Sequence, residues 1–420
     1  MFRDGESTYC SPDSPSQSSQ ITCFHTSPDF HEDGHRGSFC IGQGSNFDFT
    51  TNKFDMDCSM KPNIEVPLQE LHAYWYETGP RFLFQNHFSI HTGDDELILW
   101  RRKNTAKVTN KRTFTILIKR EGSGNIFHCL HEIMSLTYTM DVLRMSRDPQ
   151  TGQARFSAED IPNTQIVIVD DLDNGPFFDL WHVVSGRPMK RLGELVKDDP
   201  EWLTNPGNNI ILPLAGGANP EWHENSDHHD CLDELREVFS KRVLEFYQLP
   251  PEKPWDPIMG TNSPLRLTFV NRTSTRKLNN ADQLIDNLRA RYNSTDVEVR
   301  SVDFAAMTFR EQIEIARETD ILVGVHGAGL THALFMSSKR NGGRGGAVIE
   351  IFPPGLEMGA LRAIALERGL VYYRTHNTTS LGDREWHFED LHVDENVFAD
   401  LVEHAVKSLY NRIGSFKDAA

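Results

Sequence analysis

Between residues 266 and 373 the sequence changes period repeatedly: short β-branched runs alternate with stretches whose apolar residues recur every three or four positions. That alternation predicts strands over 266–270, 297–302, 321–325, 348–352 and 371–373, with helices over 281–291, 309–318, 329–336 and 356–367. Repeated strand–helix units return to one sheet by right-handed crossovers, so the sheet is parallel, covered on both faces and open to ligands at the carboxyl ends of its strands. This restricts a site to the turns that follow the strands.

The turn after the third strand carries the densest chemistry. Ile321, Leu322, Val323 and Val325 read as a buried strand, and the chain then runs His326-Gly327-Ala328-Gly329-Leu330-Thr331-His332 before Leu334 and Phe335 continue at helical spacing with Leu330. Gly327 and Gly329 let backbone approach a ligand closely, and the open amides of a new helix N-terminus suit an anion. His326, Thr331 and His332 bracket the turn with hydrogen-bonding side chains. The turn after the first strand, Asn271 to Lys277, supplies cations at Arg272 and Arg276, and in such a sheet the two turns can converge on one crevice. A net charge of −17 argues against nucleic acid or anionic lipid as partner, so an anionic ligand has to be met locally.

A second informative segment, Gly122-Ser-Gly-Asn-Ile-Phe-His-Cys-Leu-His-Glu132, follows a predicted strand over 114–118 and continues as a helix to about Met145. Ile126, Leu130, Ile133 and Met134 share one face, whereas Asn125, His128, Glu132 and Ser135 follow another, which presents a carboxylate and an imidazole together. A strand over 166–169 runs into Asp170-Asp-Leu-Asp173.

The strand, His326-Gly327-Ala328-Gly329-Leu330, a helix and a strand ending Glu350-Ile351-Phe352-Pro353 resemble glycosyltransferase family 61. The family's N-x-(aromatic or Met)-H-x-F-x-D pattern is matched at Asn125, Phe127 and His128, with Leu130 in place of Phe and Glu132 in place of Asp. Arg272 and Arg276 match a comparable basic pair. The resemblance covers roughly residues 110 to 375. It implies an α/β chain of two Rossmann-like domains facing across a cleft, the glycosyltransferase-B arrangement. It also implies a nucleotide sugar, usually a UDP-sugar, as donor, and inverting transfer of GlcNAc or a pentose to a glycan or glycoprotein hydroxyl. No cofactor and no obligatory divalent metal are expected, and the compartment is the lumen of the Golgi or endoplasmic reticulum. The donor-binding residues are then Arg272, Arg276, His326, Gly327, Ala328, Gly329, Leu330, Thr331 and Glu350.

The mechanism follows from the charges. Negative charge grows on the departing diphosphate, and without a metal it needs fixed cationic and amide donors. Glu132, ionised at neutral pH if unperturbed, is the candidate base, and His128 either orients it or serves as the base. Two other readings stay open: a metal-dependent transferase using Asp171 and Asp173, and a non-catalytic nucleotide- or glycan-binding protein.

The remaining sequence sets the organisation. Residues 1–60 read as an irregular segment, rich in Ser, Asp, Gly and His, that Cys10, Cys23, Cys40 and Cys58 would staple, while Cys129 and Cys231 read as buried thiols. His25, His31 and His35 match no zinc spacing, and His223, His228, His229, Asp230 and Cys231 read as a surface loop. Residues 61–250 form the acceptor-side domain, and the proline-rich stretch Leu249 to Pro254 is the linker. Residues 255–380 form the nucleotide-sugar domain, and 381–420 supply a loop and a helix over 395–409 that packs back on the first domain. Sequons stand at Asn271, Asn293 and Asn377, the first expected to be unused beside Arg272. No run approaches the ~18 apolar residues of a membrane span, and no basic-then-apolar start marks a leader.

Overall fold

The computed structural model describes residues 2, 5–11, 19–28, 34–91, 112–149, 151–222, 232–251, 263–338, 345–376 and 390–414. His31, the group His223 to Cys231 and the sequon at Asn377 lie outside them. Two compact units divide the chain, Met1–Trp222 and His223–Ala420. The boundary therefore precedes the expected linker by more than a helix. Helix Leu232–Phe246 buries Phe239 and Val243 in the second unit, where Ser240 Oγ donates to the Leu334 carbonyl at 3.1 Å and Arg236 pairs with Glu367. The prolines that follow it end a helix and do not separate domains.

In the first unit, strands β1 (Glu6–Thr8), β2 (Gln20–His25), β3 (Ser38–Gln43), β7 (Thr113–Ile118), β8 (Thr164–Ile168), β9 (Lys190–Arg191) and β10 (Asn208–Leu212) form one mixed sheet in the order β1-β2-β3-β10-β7-β8-β9. β4 (Asn46–Asp48), β5 (Lys53–Asp57) and β6 (Phe88–His91) make a smaller one. The expected irregular start is thus corrected: β1, β2 and β3 are successive antiparallel neighbours, and β3 joins the main sheet antiparallel to β10. β2 and β3, buried on both faces, give no alternation to read, and polar connections dominate the composition of the segment. Cys23 and Cys40 stand directly opposite in the β2–β3 register and are disulfide-bonded, and a second disulfide joins Cys10 to Cys58. Cys129 is a buried free thiol.

The parallel part of this sheet, β9-β8-β7-β10, reverses direction of progression between β7 and β10. At such a reversal the loops leaving neighbouring strands part and open a crevice. Here those loops are 119–125 and 213–219. Helix Ile126–Met145 leaves the first, opened by Asn125, whose side chain accepts the Phe127 amide at 3.0 Å. This helix is buried nearly all round, Glu132 and Ser135 of its polar stripe included, so of the expected polar face only the N-terminal part at Asn125 and His128 is presented.

The second unit contains a five-stranded parallel sheet, β11 (Leu265–Val270), β12 (Val297–Val302), β13 (Ile321–Val325), β14 (Ala347–Phe352) and β15 (Val371–His376), in the order β12-β11-β13-β14-β15. Leu265, Leu267, Phe269, Ile321, Val323, Val325, Ile349 and Ile351 point to one face and form a core with helices Ala281–Arg291 and Glu395–Gly414. Phe398, Val402, Ala405 and Leu409 of the last helix are spent there. Its apolar stripe covers its own unit's sheet, which corrects the expected return to the first domain. Helix Phe309–Glu318 opens on a capping box in which Thr308 Oγ1 accepts the Glu311 amide and Glu311 accepts the Thr308 amide at 2.8 Å. The switch point of this sheet lies between β11 and β13.

Thiol labelling of the denatured, non-reduced protein checks the N-terminal pairing. Cys129 should react, and Cys10, Cys23, Cys40 and Cys58 should react only after reduction. Full labelling of those four without reductant would contradict the disulfides.

Candidate functional site

In the second unit the turns after β11 and β13 meet. Arg272 is braced by Thr275, donating from Nε to its carbonyl at 2.8 Å and from Nη2 to its Oγ1 at 3.3 Å. Arg276 donates from Nη1 to the His326 carbonyl at 2.9 Å, its backbone held at φ 54°, a left-handed conformation unfavourable for a residue with a Cβ. Gly327 lies against both guanidinium groups: a Cβ there would stand 2.6 Å from Arg272 Nη1 and 3.1 Å from Arg276 Nη2. Its φ of 149° is open in practice to glycine alone. Burial lowers the Arg272 pKa, and burial together with the neighbouring Arg272 charge brings Arg276 down to about 10. Both stay cationic at neutral pH, and their mutual repulsion makes the place between them favourable for an anion.

The segment after Gly327 is a 3-10 helix, Ala328–Phe335, in place of the expected α-helix. Its first internal bond runs from the Leu330 amide to the Gly327 carbonyl at 3.0 Å, so the amides of Ala328 and Gly329 precede the ladder. The side chains of Leu330 and Thr331 are buried. His332 is likewise buried, with Nδ1 at 2.8 Å from the Gly329 carbonyl and Nε2 at 2.8 Å from Gln312 Oε1, and burial lowers its pKa to about 4.

Glu350 has a different place from the one its motif suggested. Fully buried, it takes His326 Nδ1 on Oε1 and the Tyr372 hydroxyl on Oε2, each at 2.5 Å. The His326 ring also stacks on Phe352 at 5.0 Å. Tyr372 was not legible in the sequence, because its closeness to Glu350 depends on the β14–β15 register that sets Val348 opposite Tyr372.

In the first unit a polar cluster forms where the loops after β7 and β10 part. Glu121, three residues after Ile118 at the end of β7, accepts the Gly217 amide on Oε1 at 3.0 Å and faces His128 Nδ1 with Oε2 at 3.0 Å. Glu132 lies behind it, 5% exposed, with Oε1 accepting the Glu121 amide at 2.9 Å and Oε2 without a partner. Burial, and secondly the Glu121 charge, raise the Glu132 pKa well above the ordinary carboxylate value. Burial therefore works against the ionised form expected of Glu132. His128 is the more accessible group, its ring edged by Trp222 at 4.7 Å and Tyr76 at 5.4 Å. Glu121 was missed, although an acid just beyond a buried strand and ahead of Gly122-Ser-Gly124 was a visible signal.

Of the strand-end acids after β8, Asp170 is an ion-pair partner. Asp170 is held by Arg120, whose Nη2 reaches Oδ1 at 2.8 Å and whose amide reaches Oδ2 at 2.8 Å, while Asp171 and Asp173 are exposed. No group of three or more His, Cys, Asp or Glu among the described residues is arranged to hold a metal ion. His25 lies between Tyr9 and Ser38, next to cysteines that are disulfide-bonded.

The glycosyltransferase 61 family model matches residues 218–341, which contain the Arg272, Arg276 and Gly327 cradle. An EGF domain-specific O-linked N-acetylglucosamine transferase of Drosophila melanogaster is 29% identical over 228 residues, 53% of this chain and 39% of that protein. Proteins of the same name from Mus musculus and Xenopus laevis are 37% and 39% identical over 105 and 103 residues, in each case 24% of this chain and 18% of theirs. Over the matched residues the chain is thus similar to glycosyltransferase family 61. It spans well under two thirds of the length of these relatives. The segment matched by the family model holds the arginine cradle, whereas Glu121, His128, Glu132, Glu350 and Tyr372 lie outside it.

The state of Glu132 can be read from stability. A carboxyl whose folded pKa is raised binds a proton that the unfolded chain releases, so its contribution falls as pH rises from the ordinary carboxylate value through the folded one. Glu132→Gln should therefore gain melting temperature relative to the parent as pH rises from about 4.5 to 8. A difference between the two proteins that is constant with pH would contradict the assignment.

Proposed function

We propose that this chain is an inverting glycosyltransferase of the two-domain GT-B type, moving a sugar from a UDP-sugar to a hydroxyl of a glycan or glycoprotein. The names of the relatives make UDP-GlcNAc the first donor to test and an EGF-like domain the first acceptor, with pentose donors next. The observation that carries the reading is the pair of arginines gathered against Gly327 at the β11/β13 switch point. Breaking a glycosyl-phosphate bond leaves charge on the diphosphate. Arg272, Arg276, the His326 ring and the amides ahead of Leu330 offer that charge fixed donors, each charge-assisted bond contributing about 1.5–3 kcal/mol. With those donors in place a divalent metal is not obligatory in this proposal. The two buried disulfides suit an oxidising lumen, so the proposed compartment is the secretory pathway.

Removing the cradle tests this directly. Arg272→Ala and Arg276→Ala should each weaken UDP binding by about 1.5–3 kcal/mol, roughly ten- to 150-fold, with the melting transition kept. Transfer or donor hydrolysis by the intact protein should persist in EDTA. Unchanged UDP affinity in both variants would remove the donor assignment, loss of activity in EDTA would favour the metal reading, and consumption of no nucleotide sugar would leave a binding protein.

A further inference from the structure

Glu121 is singled out neither by helical spacing nor by the family pattern, yet it is the hub of the first unit's polar cluster. Its side chain is 2% exposed and both oxygens face donors, the Gly217 amide and the His128 ring. Glu132 shares the same buried volume: a Cβ built on Gly216 would come within 2.6 Å of Glu132 Cγ and 2.7 Å of Glu121 Oε1. Two carboxyls so close do not both ionise readily. Glu121 has the donors that favour an anion, whereas Glu132 has an oxygen with no partner, in the place a proton would occupy, and its titration is shifted upward. His128 reaches the surface, with 21% of its side chain exposed and Nε2 making no protein hydrogen bond among the described residues. Its surroundings are the rings of Tyr76, Phe127 and Trp222. The charged and titratable groups nearby are Glu121 and Glu132, then Arg120, Asp170 and Cys129 behind them, with Lys119 Nζ held on the Tyr76 carbonyl.

Resting on the glycosyltransferase reading, we propose that His128 is the group that takes the acceptor's proton and that Glu121 is the positioning residue that holds it for that task. The Glu121 carboxylate accepts Nδ1–H, which fixes the tautomer and turns Nε2 outward as the base. In the step itself the acceptor O–H breaks and its proton passes to Nε2. The oxygen's electron pair forms the bond to the anomeric carbon of the nucleotide sugar, and the carbon–oxygen bond to the diphosphate breaks with its pair staying on the phosphate oxygen. The imidazolium so formed is offset by Glu121 and afterwards loses its proton to solvent. Glu132 is the neutral carboxyl behind the pair.

The test combines histidine-resolved NMR of the intact protein, which reports which ring nitrogen carries the proton, with pH profiles of kcat for transfer from UDP-GlcNAc, UDP-xylose and UDP-arabinose. In the parent, neutral His128 should carry its proton on Nδ1. Glu121→Leu removes the acceptor of Nδ1–H and should move the neutral ring toward the Nε2–H tautomer, whereas Glu132→Gln should leave the proton on Nδ1. In kinetics, His128→Asn should lose on the order of 100-fold or more in kcat with donor KM little changed, and the acidic limb of the profile should disappear. Glu121→Leu should lose less, and Glu132→Gln should keep the limb. An unchanged His128 tautomer in Glu121→Leu overturns the pairing whether or not the protein transfers sugar. A limb lost in Glu132→Gln and kept in His128→Asn overturns the choice of base. A changed His128 tautomer in Glu121→Leu with no nucleotide sugar consumed by the parent upholds the pairing and overturns the transferase reading on which its role rests.

Discussion

Two guanidinium groups pressed against one glycine repel each other, and the second unit's switch point is organised around holding them there. Thr275 braces one and the His326 carbonyl holds the other, with Arg276 in a left-handed conformation that its own side chain disfavours. A Cβ on Gly327 would enter the space both occupy, and its φ excludes one in any case. Partial burial sharpens the repulsion, since it removes the water that would otherwise screen it. Strain of several kinds converges on a place where an anion would relieve it.

The first unit uses the same architectural device with the opposite charge. Where the loops after β7 and β10 separate, two carboxyls are buried side by side, and the hydrogen-bond donors are unequally divided between them. Glu121 receives an amide and an imidazole, and Glu132 receives one amide and keeps an unpartnered oxygen. Environment therefore gives two chemically equal residues different protonation tendencies, which is how one protein can hold an acid and a base within reach of each other.

How much of this was legible follows from the kind of signal each feature leaves. β12 and β13, with helices Ala281–Arg291 and Phe309–Glu318, fall where the sequence period put them, because a buried parallel strand and an amphipathic helix both write their contacts into local periodicity. The meeting of Arg272, Arg276 and Gly327 was legible too, since strand order in a doubly wound sheet brings those turns together. Strands β2 and β3 were not, because Thr, Cys and Ser buried on both sides resemble loop composition. Glu350 and Tyr372 needed strand register, and Glu132 needed its burial, neither of which a single helix or strand records. The unit boundary was misplaced because prolines after helix Leu232–Phe246 are visible in sequence, while the partner of that helix's buried face is not.

We propose that the β11/β13 crevice recognises a diphosphate through fixed positive charge. Calorimetric titration of the intact chain with uridine, UMP and UDP measures this most directly. Each phosphate should add affinity, with UDP binding at least about tenfold more tightly than UMP, the worth of a charge-assisted hydrogen bond or more. Equal affinity for UMP and UDP would contradict it.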